Sequence, residues 1–157
     1  MTIDNLKQVY QQLINQGVTN AGWKTYEMLL MENGILNWGL EVRSNDDIAF
    51  NNHKNLLKLN ISPSKLKNQA FLGAKQLINS DNIFCLLKLQ SDDALSQGQE
   101  PIFYNGEVIG MTRTGTFSFG FNEPIAIGLV KLNQINQSNQ VDIEINSKLY
   151  TADIQTH

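Results

Sequence analysis

Apolar residues at the start of the chain recur at the spacing of amphipathic helices. The first stripe, three to four residues apart, is formed by Ile3, Leu6, Val9, Tyr10, Leu13 and Ile14. Gly17 favours the end of this helix, because glycine tolerates the left-handed conformation that closes one. Asn20 is the predicted cap of a second helix, which ends at Asn33-Gly34. The chain is therefore expected to open with two short helices.

The pattern then loosens before it becomes regular again. Residues 35–52 are typical of loops and short extended pieces, and residues 56–59 predict a strand. Proline and two serines in Ile61-Ser62-Pro63-Ser64 interrupt both patterns. We therefore predict a helix-rich segment over residues 1–60 and a second domain over residues 61–157, which begins with a helix at 65–78.

Beyond residue 82 apolar and polar residues alternate with a period of two, which predicts antiparallel strands. The expected strands are 83–90, 101–104, 107–112, 116–121, 124–131, 140–145 and 148–154. Asn105-Gly106 is a strong hairpin signal, because both residues accept positive φ. Phe117 and Phe119 share one strand face and are expected in the core. Closure covers the strand edges, so the predicted fold is α+β: an N-terminal helical segment with short strands, followed by a small antiparallel barrel of six or seven strands.

Composition narrows the classes of function. A chain of 157 residues can bury a core without disulfides, and Cys85 lies in an apolar run that predicts a buried thiol. The net charge is −3 and there is no basic stripe, which argues against nucleic acid. No apolar run could span a membrane and no signal peptide is recognisable, so a cytoplasmic protein is expected. His53 and His157 have no metal-ligand spacing, so no metal site is expected.

Several segments in sequence order are similar to one family. They are Ala21-Gly22-Trp23, Leu29-Leu30-Met31-Glu32-Asn33-Gly34, Asn37-Trp38-Gly39-Leu40-Glu41, Phe71-Leu72-Gly73, Gly110-Met111-Thr112 and Ile125-Ala126-Ile127-Gly128-Leu129-Val130. Together they resemble the folate-binding aminomethyltransferases, which comprise the glycine-cleavage T-protein and the C-terminal folate domains of dimethylglycine and sarcosine dehydrogenases. Trp38 favours the dehydrogenase branch.

The resemblance implies that the chain corresponds to the last part of a longer, three-lobed domain around a tetrahydrofolate channel. Residues 1–60 would end the first lobe, and residues 61–157 would form the terminal barrel. The family's catalytic aspartate belongs to the portion that is not matched, so no catalytic residue is expected here. The implied partner is a second polypeptide that carries the missing lobes or a flavin dehydrogenase, and a homodimer is the other arrangement we consider.

Glu32 is the residue that the resemblance assigns most directly to the cofactor. In the family, the glutamate of an Arg-x-Glu-x-Gly element accepts hydrogen bonds from the pterin ring N–H and its exocyclic amine, which suits the two oxygens of a carboxylate. From the residues alone, Glu32 also fits a solvated acid near a helix end. Leu30 stands where the family has arginine, which removes a cation beside Glu32.

Four further residues are candidates for cofactor binding. Trp23, Tyr26 and Trp38 could stack against a pterin or its aminobenzoyl group, or belong to the core. Arg113 could contact the glutamate tail of a folate, or be a solvated turn residue. The leading hypothesis is a partial or split tetrahydrofolate-binding domain that contributes to one-carbon transfer with a partner chain and is inactive alone. The alternative is a non-catalytic interaction or regulatory module, the kind that the regulatory subunit of pyruvate dehydrogenase phosphatase represents in this family.

Overall fold

The computed structural model describes residues 2–43, 82–135 and 139–155. Two helices precede six strands and one short 3-10 turn in these ranges. They are α1 (Ile3–Asn15), α2 (Trp23–Glu32), β1 (Asn82–Leu89), β2 (Pro101–Tyr104), β3 (Glu107–Ser118), β4 (Glu123–Lys131), the turn Leu132–Gln134, β5 (Gln140–Ile145) and β6 (Lys148–Gln155). The predicted strand 56–59, the boundary at 61–64, the helix 65–78 and the Phe71-Leu72-Gly73 motif lie outside the described residues.

Both predicted helices are present, and their ends follow local capping. The Thr2 hydroxyl accepts a hydrogen bond from the amide of Asn5 at the start of α1, and Gly17 has a φ of +84° just beyond its end. The prediction that Asn20 caps α2 is wrong. Gly22 occupies the cap position, and the side chain of Asn20 instead pairs with the Tyr10 hydroxyl at 2.9 Å, which ties α1 to the segment that follows it.

The six strands form a closed antiparallel barrel in the order β1-β4-β3-β2-β5-β6. Closure is complete because β1 pairs with β4 on one side and β6 on the other. The Asn105-Gly106 hairpin is confirmed, with φ values of 52° and 81°, as primed turns require. The predicted fold class is therefore confirmed. Short turns join the pairs β2–β3, β3–β4 and β5–β6, whereas β1–β4, β2–β5 and β1–β6 pair strands that are not consecutive in the sequence.

Residues 107–112 and 116–121 were predicted as two strands, but the structure has one strand, β3, across the predicted break. The prediction of a break is therefore wrong. The register of β3 against β4 shifts between Thr112 and Thr114, so Arg113 lies in a bulge that bends the strand without ending it. The strand then stops at Ser118, and residues 119–122 form the turn into β4. Phe119 is consequently 79% exposed, which corrects the expectation that it belongs to the core.

Apolar side chains pack on both faces of β1 and β4. Cys85, Leu87, Ala126 and Val130 point into the barrel interior, and Cys85 is buried as predicted. The opposite face packs against the helical segment in a cluster of Met31, Leu36, Val42, Phe84, Leu86, Ile125 and Ile127. Burial on both faces explains why these two strands are nearly continuous apolar runs, and it fixes α2 against the outside of the barrel.

Candidate functional site

Glu32, the last residue of α2, joins the helical segment to the β3–β4 hairpin. Its Oε1 accepts a hydrogen bond from the Ser118 hydroxyl at 2.5 Å and another from the Gly120 amide at 3.0 Å. The Ser118 oxygen in turn accepts from the amide of Phe121 at 2.9 Å. We call Glu32, Ser118, Gly120 and the adjacent Phe119 the hairpin site. Its carboxylate is half-buried between a helix end and a barrel turn.

Glycine at position 120 lets the carboxylate approach the hairpin backbone. A Cβ at this position would lie 3.0 Å from both carboxylate oxygens of Glu32, which is closer than ordinary van der Waals contact. The φ of Gly120 is not positive, so its small size rather than its conformational freedom suits it to this position. The hairpin is thus shaped to receive a carboxylate from α2.

Replacing Glu32 by alanine is expected to lower the free energy of unfolding by about 2 kcal/mol, because the fully buried Ser118 hydroxyl and the Gly120 amide lose a charged acceptor. Glu32→Gln keeps one acceptor oxygen and is expected to lose about half as much. Urea unfolding followed by far-UV circular dichroism measures both. Equal stability of Glu32→Ala and the wild type would show that the two hydrogen bonds do not hold α2 to the barrel.

The aromatic candidates on α2 do not lie beside Glu32. Trp23 is 66% exposed, its ring centroid lies 5.3 Å from that of Tyr26, and its indole N–H donates to Glu27 at 2.6 Å. Nine residues, or about two and a half helical turns, separate Trp23 from Glu32, which places them on opposite faces of α2. The structure therefore does not bring Trp23 and Tyr26 to the hairpin site.

Trp38 lies in the loop that follows α2, where its backbone forms a bridge with Val42. Its side chain is exposed. The neighbouring Glu41 is almost fully buried and accepts a hydrogen bond from the Asn37 amide at 2.7 Å. Burial raises the pKa of the Glu41 carboxyl, the hydrogen bond from Asn37 offsets this only in part, and the negative charge of Glu27 adds to the rise. This buried acid was not predicted as a candidate, although it lies in the Trp-Gly-x-Glu segment.

Arg113 lies in the middle of β3, away from the hairpin site. Five residues separate it from Ser118, a distance of about 16 Å along the strand, and it lines a groove with Met111, Leu129 and Lys131. The apolar cluster that contains Met31 packs on the outer barrel face against Ile125 and Ile127. These two residues pair with the part of β3 that lies between Arg113 and Ser118. The structure therefore places Arg113 and Glu32 in separate sites.

The comparisons with known proteins support the family to which these elements point. Residues 83–157 match the model of the glycine cleavage T-protein C-terminal barrel domain. This part of the chain is similar to the T-protein C-terminal barrel domain. The predicted resemblance to this family is confirmed.

Similarity to relatives of the T-protein barrel extends into the helices that precede it. Human mitochondrial dimethylglycine dehydrogenase is 28% identical over 148 residues, which cover 92% of this chain and 17% of the relative. The aminomethyltransferase of Prochlorococcus marinus (strain NATL1A) is 26% identical over 153 residues, which cover 95% of this chain and 40% of the relative. The chain thus spans less than half the length of these relatives.

A solved structure shares the fold. The crystal structure of glycine cleavage system aminomethyltransferase T from Bartonella henselae superposes with a TM-score of 0.75 at 20% sequence identity. The match covers 96% of this chain and 42% of that one. The two helices are therefore part of the same architecture as the T-protein barrel.

Sequence reasoning missed Phe119 as a candidate in this barrel. Alternation by two placed it on the same face as Phe117, and the two rings do pack edge to face with centroids 5.5 Å apart. The turn after Ser118 nevertheless leaves the Phe119 ring in solvent, one residue before the Gly120 amide that donates to Glu32. The Phe119-Gly120-Phe121-Asn122 sequence before Glu123-Pro124 contains the turn signal, since Asn122 has a φ of 57°.

The described residues contain neither a metal-ligand cluster nor a helix that could cross a membrane. Among residues 2–43, 82–135 and 139–155, no group of three or more His, Cys, Asp or Glu side chains is arranged to hold a metal ion. Neither of the helices in these ranges has the length and apolar character that crossing a membrane requires.

Proposed function

We propose that this chain supplies one wall of a tetrahydrofolate-binding cavity and contributes to one-carbon transfer together with a partner chain that carries the rest of the domain. The observation that carries the proposal is the hairpin site, because it sets a half-buried carboxylate between the helical segment and a T-protein barrel. Support also comes from the relatives named aminomethyltransferase and dimethylglycine dehydrogenase, whose similarity covers more than nine-tenths of the chain.

The partner is proposed from the apolar surface of the helices. All of α1 is described, and none of its residues is buried. Large apolar side chains are exposed along α1 and the outer face of α2, namely Ile3, Leu6, Val9, Tyr10, Leu13, Trp23, Tyr26 and Leu29. Contiguous apolar surface of this kind favours an interface. In our proposal Trp23 and Tyr26 contact the partner rather than the pterin.

The hairpin site fits a pterin through its unused acceptor capacity and its exposed ring. A carboxylate offers about four lone-pair positions, of which Ser118 and Gly120 use two on Oε1. The remainder could accept from the ring N–H and the exocyclic amine of a pterin. Phe119, one residue before the Gly120 amide that donates to this carboxylate, offers an exposed aromatic ring for stacking.

Tetrahydrofolate, once bound, supplies the nitrogen atoms that take up a one-carbon unit. In our proposal the chain's own residues bind and orient it: Glu32 fixes the pterin edge, and Phe119 covers one pterin face. No catalytic residue is assigned to this chain, and turnover would depend on groups that the partner provides.

The proposal is tested by titrating tetrahydrofolate into the full chain in the presence of the part of the Prochlorococcus aminomethyltransferase that precedes the matched region. We expect saturable binding by calorimetry. Phe119→Ala is expected to weaken it about tenfold, or about 1.4 kcal/mol. The melting temperature should fall only slightly, because the ring is exposed and its contact with Phe117 is edge to face. Leu149→Ala, which removes an exposed apolar side chain from the β5–β6 hairpin, is the matched control and should bind normally.

The absence of saturable binding by the complex would overturn the folate proposal. The second candidate is then an interaction or regulatory module that keeps the fold without folate chemistry. The specific observation that favours it is Leu30, which stands where the family has arginine. Stable association of the two polypeptides without folate binding is the result expected of such a module.

A further inference from the structure

A groove crosses the barrel surface at the ends of β3 and β4 that lie away from the hairpin site. Its volume is about 290 Å³, which suits a small molecule. The lining residues come from β1, β3, β4 and the loop before β2, and they include Asn82, Gln99, Met111, Arg113, Leu129 and Lys131. We call this the Arg113 groove.

The charge of the groove differs from that of the chain. Arg113 and Lys131 are its charged side chains, and Asn82 and Gln99 add amide groups. The described residues that line it include no aspartate or glutamate, although the chain as a whole carries a net charge of −3. A groove with two cations and two amides on an acidic protein favours an anionic ligand.

Its floor is apolar. Met111 pairs with Leu129 across β3 and β4, and both Met111 and Val108 are exposed large hydrophobic residues. Gly110 contributes no side chain between them, and a Cβ there would collide with the backbone of Leu129 and Val130. A ligand that fills the groove would therefore cover apolar surface as well as meet the cations, which favours an organic anion over an inorganic one.

The backbone at Arg113 is fixed by the loop that precedes β2. The bulge in β3 sets Arg113 apart from the regular pairing, and the Thr112 hydroxyl beside it hydrogen-bonds the carboxylate of Glu100. Gly98, with a φ of +93°, packs so closely that a side chain there would overlap the Arg113 carbonyl. The bulge is thus held from two sides, which positions the residue before any ligand binds.

From these observations we infer that the Arg113 groove binds a small organic dicarboxylate whose two carboxylates engage Arg113 and Lys131 and whose apolar body covers Met111 and Leu129. Two separate cations match a ligand with two carboxylates better than a ligand with a single carboxylate. A guanidinium can also bind a carboxylate through two parallel hydrogen bonds. Because the hairpin site lies about 16 Å away along β3, this inference does not depend on the folate proposal.

The test is a calorimetric titration of the full chain with isophthalate. Benzoate, which lacks the second carboxylate, and inorganic phosphate, which lacks the apolar body, are the comparison probes. We expect isophthalate to bind at least tenfold more tightly than either, and its affinity to fall at high salt. Amide chemical shifts in an NMR titration should change at residues 108–113 and 129–131. Equal affinity for phosphate, or shifts confined to other residues, would overturn the inference.

Two variants and a control decide whether the named cations are responsible. Arg113→Gln and Lys131→Gln are each expected to weaken isophthalate binding about tenfold. Lys148→Gln removes a lysine whose ammonium lies over the Tyr150 ring on β6, away from the groove, and should leave binding unchanged. Lys131 is exposed at the end of β4, so its variant should fold normally even if Arg113→Gln disturbs the bulge. Unchanged affinity in Lys131→Gln would overturn the assignment of two carboxylates.

Discussion

Gly110→Ala is expected to lower the free energy of unfolding by about 3 kcal/mol or more. A Cβ at this position would lie 2.9 Å from the Cα of Val130 and even closer to the carbonyl oxygen of Leu129. Both obstacles are backbone atoms of β4, so no side-chain rotation can relieve the overlap. The two strands would have to separate at the point where Gly110 pairs with Val130.

Two other glycines provide graded controls for this substitution. At Gly120 the obstacle is the flexible end of Glu32 at 3.0 Å, so alanine should cost about 1 kcal/mol. At Gly22, which has a φ of −76°, no heavy atom lies within 4 Å, and alanine should cost less than it does at Gly120. Urea unfolding curves should rank the three variants in this order. Equal stability of Gly110→Ala and Gly22→Ala would show that β3 and β4 can separate freely at this point.

Much of the barrel could be predicted because its signals are local. The Asn105-Gly106 turn requires only two residues with positive φ, and the neighbouring strands are joined by it directly. The bulge at Arg113 was missed for a physical reason: one extra residue shifts the alternation, and a shifted alternation resembles the end of a strand. Gly115 lies in the same strand, where the backbone of Ser96 passes so close that a Cβ would not fit.

The hairpin site was only partly accessible from the sequence. Glu32 was selected through the family resemblance, but its partner Ser118 is 86 residues away, and no local pattern links a helix end to a barrel turn. Phe119 was missed because alternation by two was extended past the end of β3. Conversely, Trp23 and Tyr26 are close to Glu32 in sequence but face away from it, since helical geometry turns the chain about 100° per residue.

The loop before β2 is organised around the carboxylate of Glu100. This group accepts hydrogen bonds from the Ser96 hydroxyl at 2.8 Å, the Gln97 amide at 2.7 Å and the Gly98 amide at 3.0 Å, and it also bonds the Thr112 hydroxyl. Ser96 and Thr112 are buried. One charged side chain therefore satisfies four donors and links this loop to β3 beside the Arg113 groove.

Glu100→Gln is expected to lower the free energy of unfolding by about 3 kcal/mol at pH 7. A neutral amide accepts fewer of these hydrogen bonds, and its NH2 group would face donors that the carboxylate oxygen had satisfied. Partial burial raises the pKa of the Glu100 carboxyl, but hydrogen bonds from Thr112, the Gln97 amide and Ser96 outweigh it, so this pKa lies below its ordinary value of 4.5.

Because the pKa is lowered in the folded state, the unfolded chain binds the proton of Glu100 more tightly than the folded chain does. The contribution of the Glu100 carboxylate to the free energy of unfolding is therefore complete above about pH 4.5 and disappears as the pH falls through the folded-state pKa. The stability difference between wild type and Glu100→Gln should therefore be largest near neutral pH and shrink below pH 4.5. Glu107→Gln, an exposed acid at the start of β3, should differ little from wild type throughout. A difference that stays constant on acidification would mean that the ionised carboxylate does not hold the loop, because only ionisation makes its contribution depend on pH.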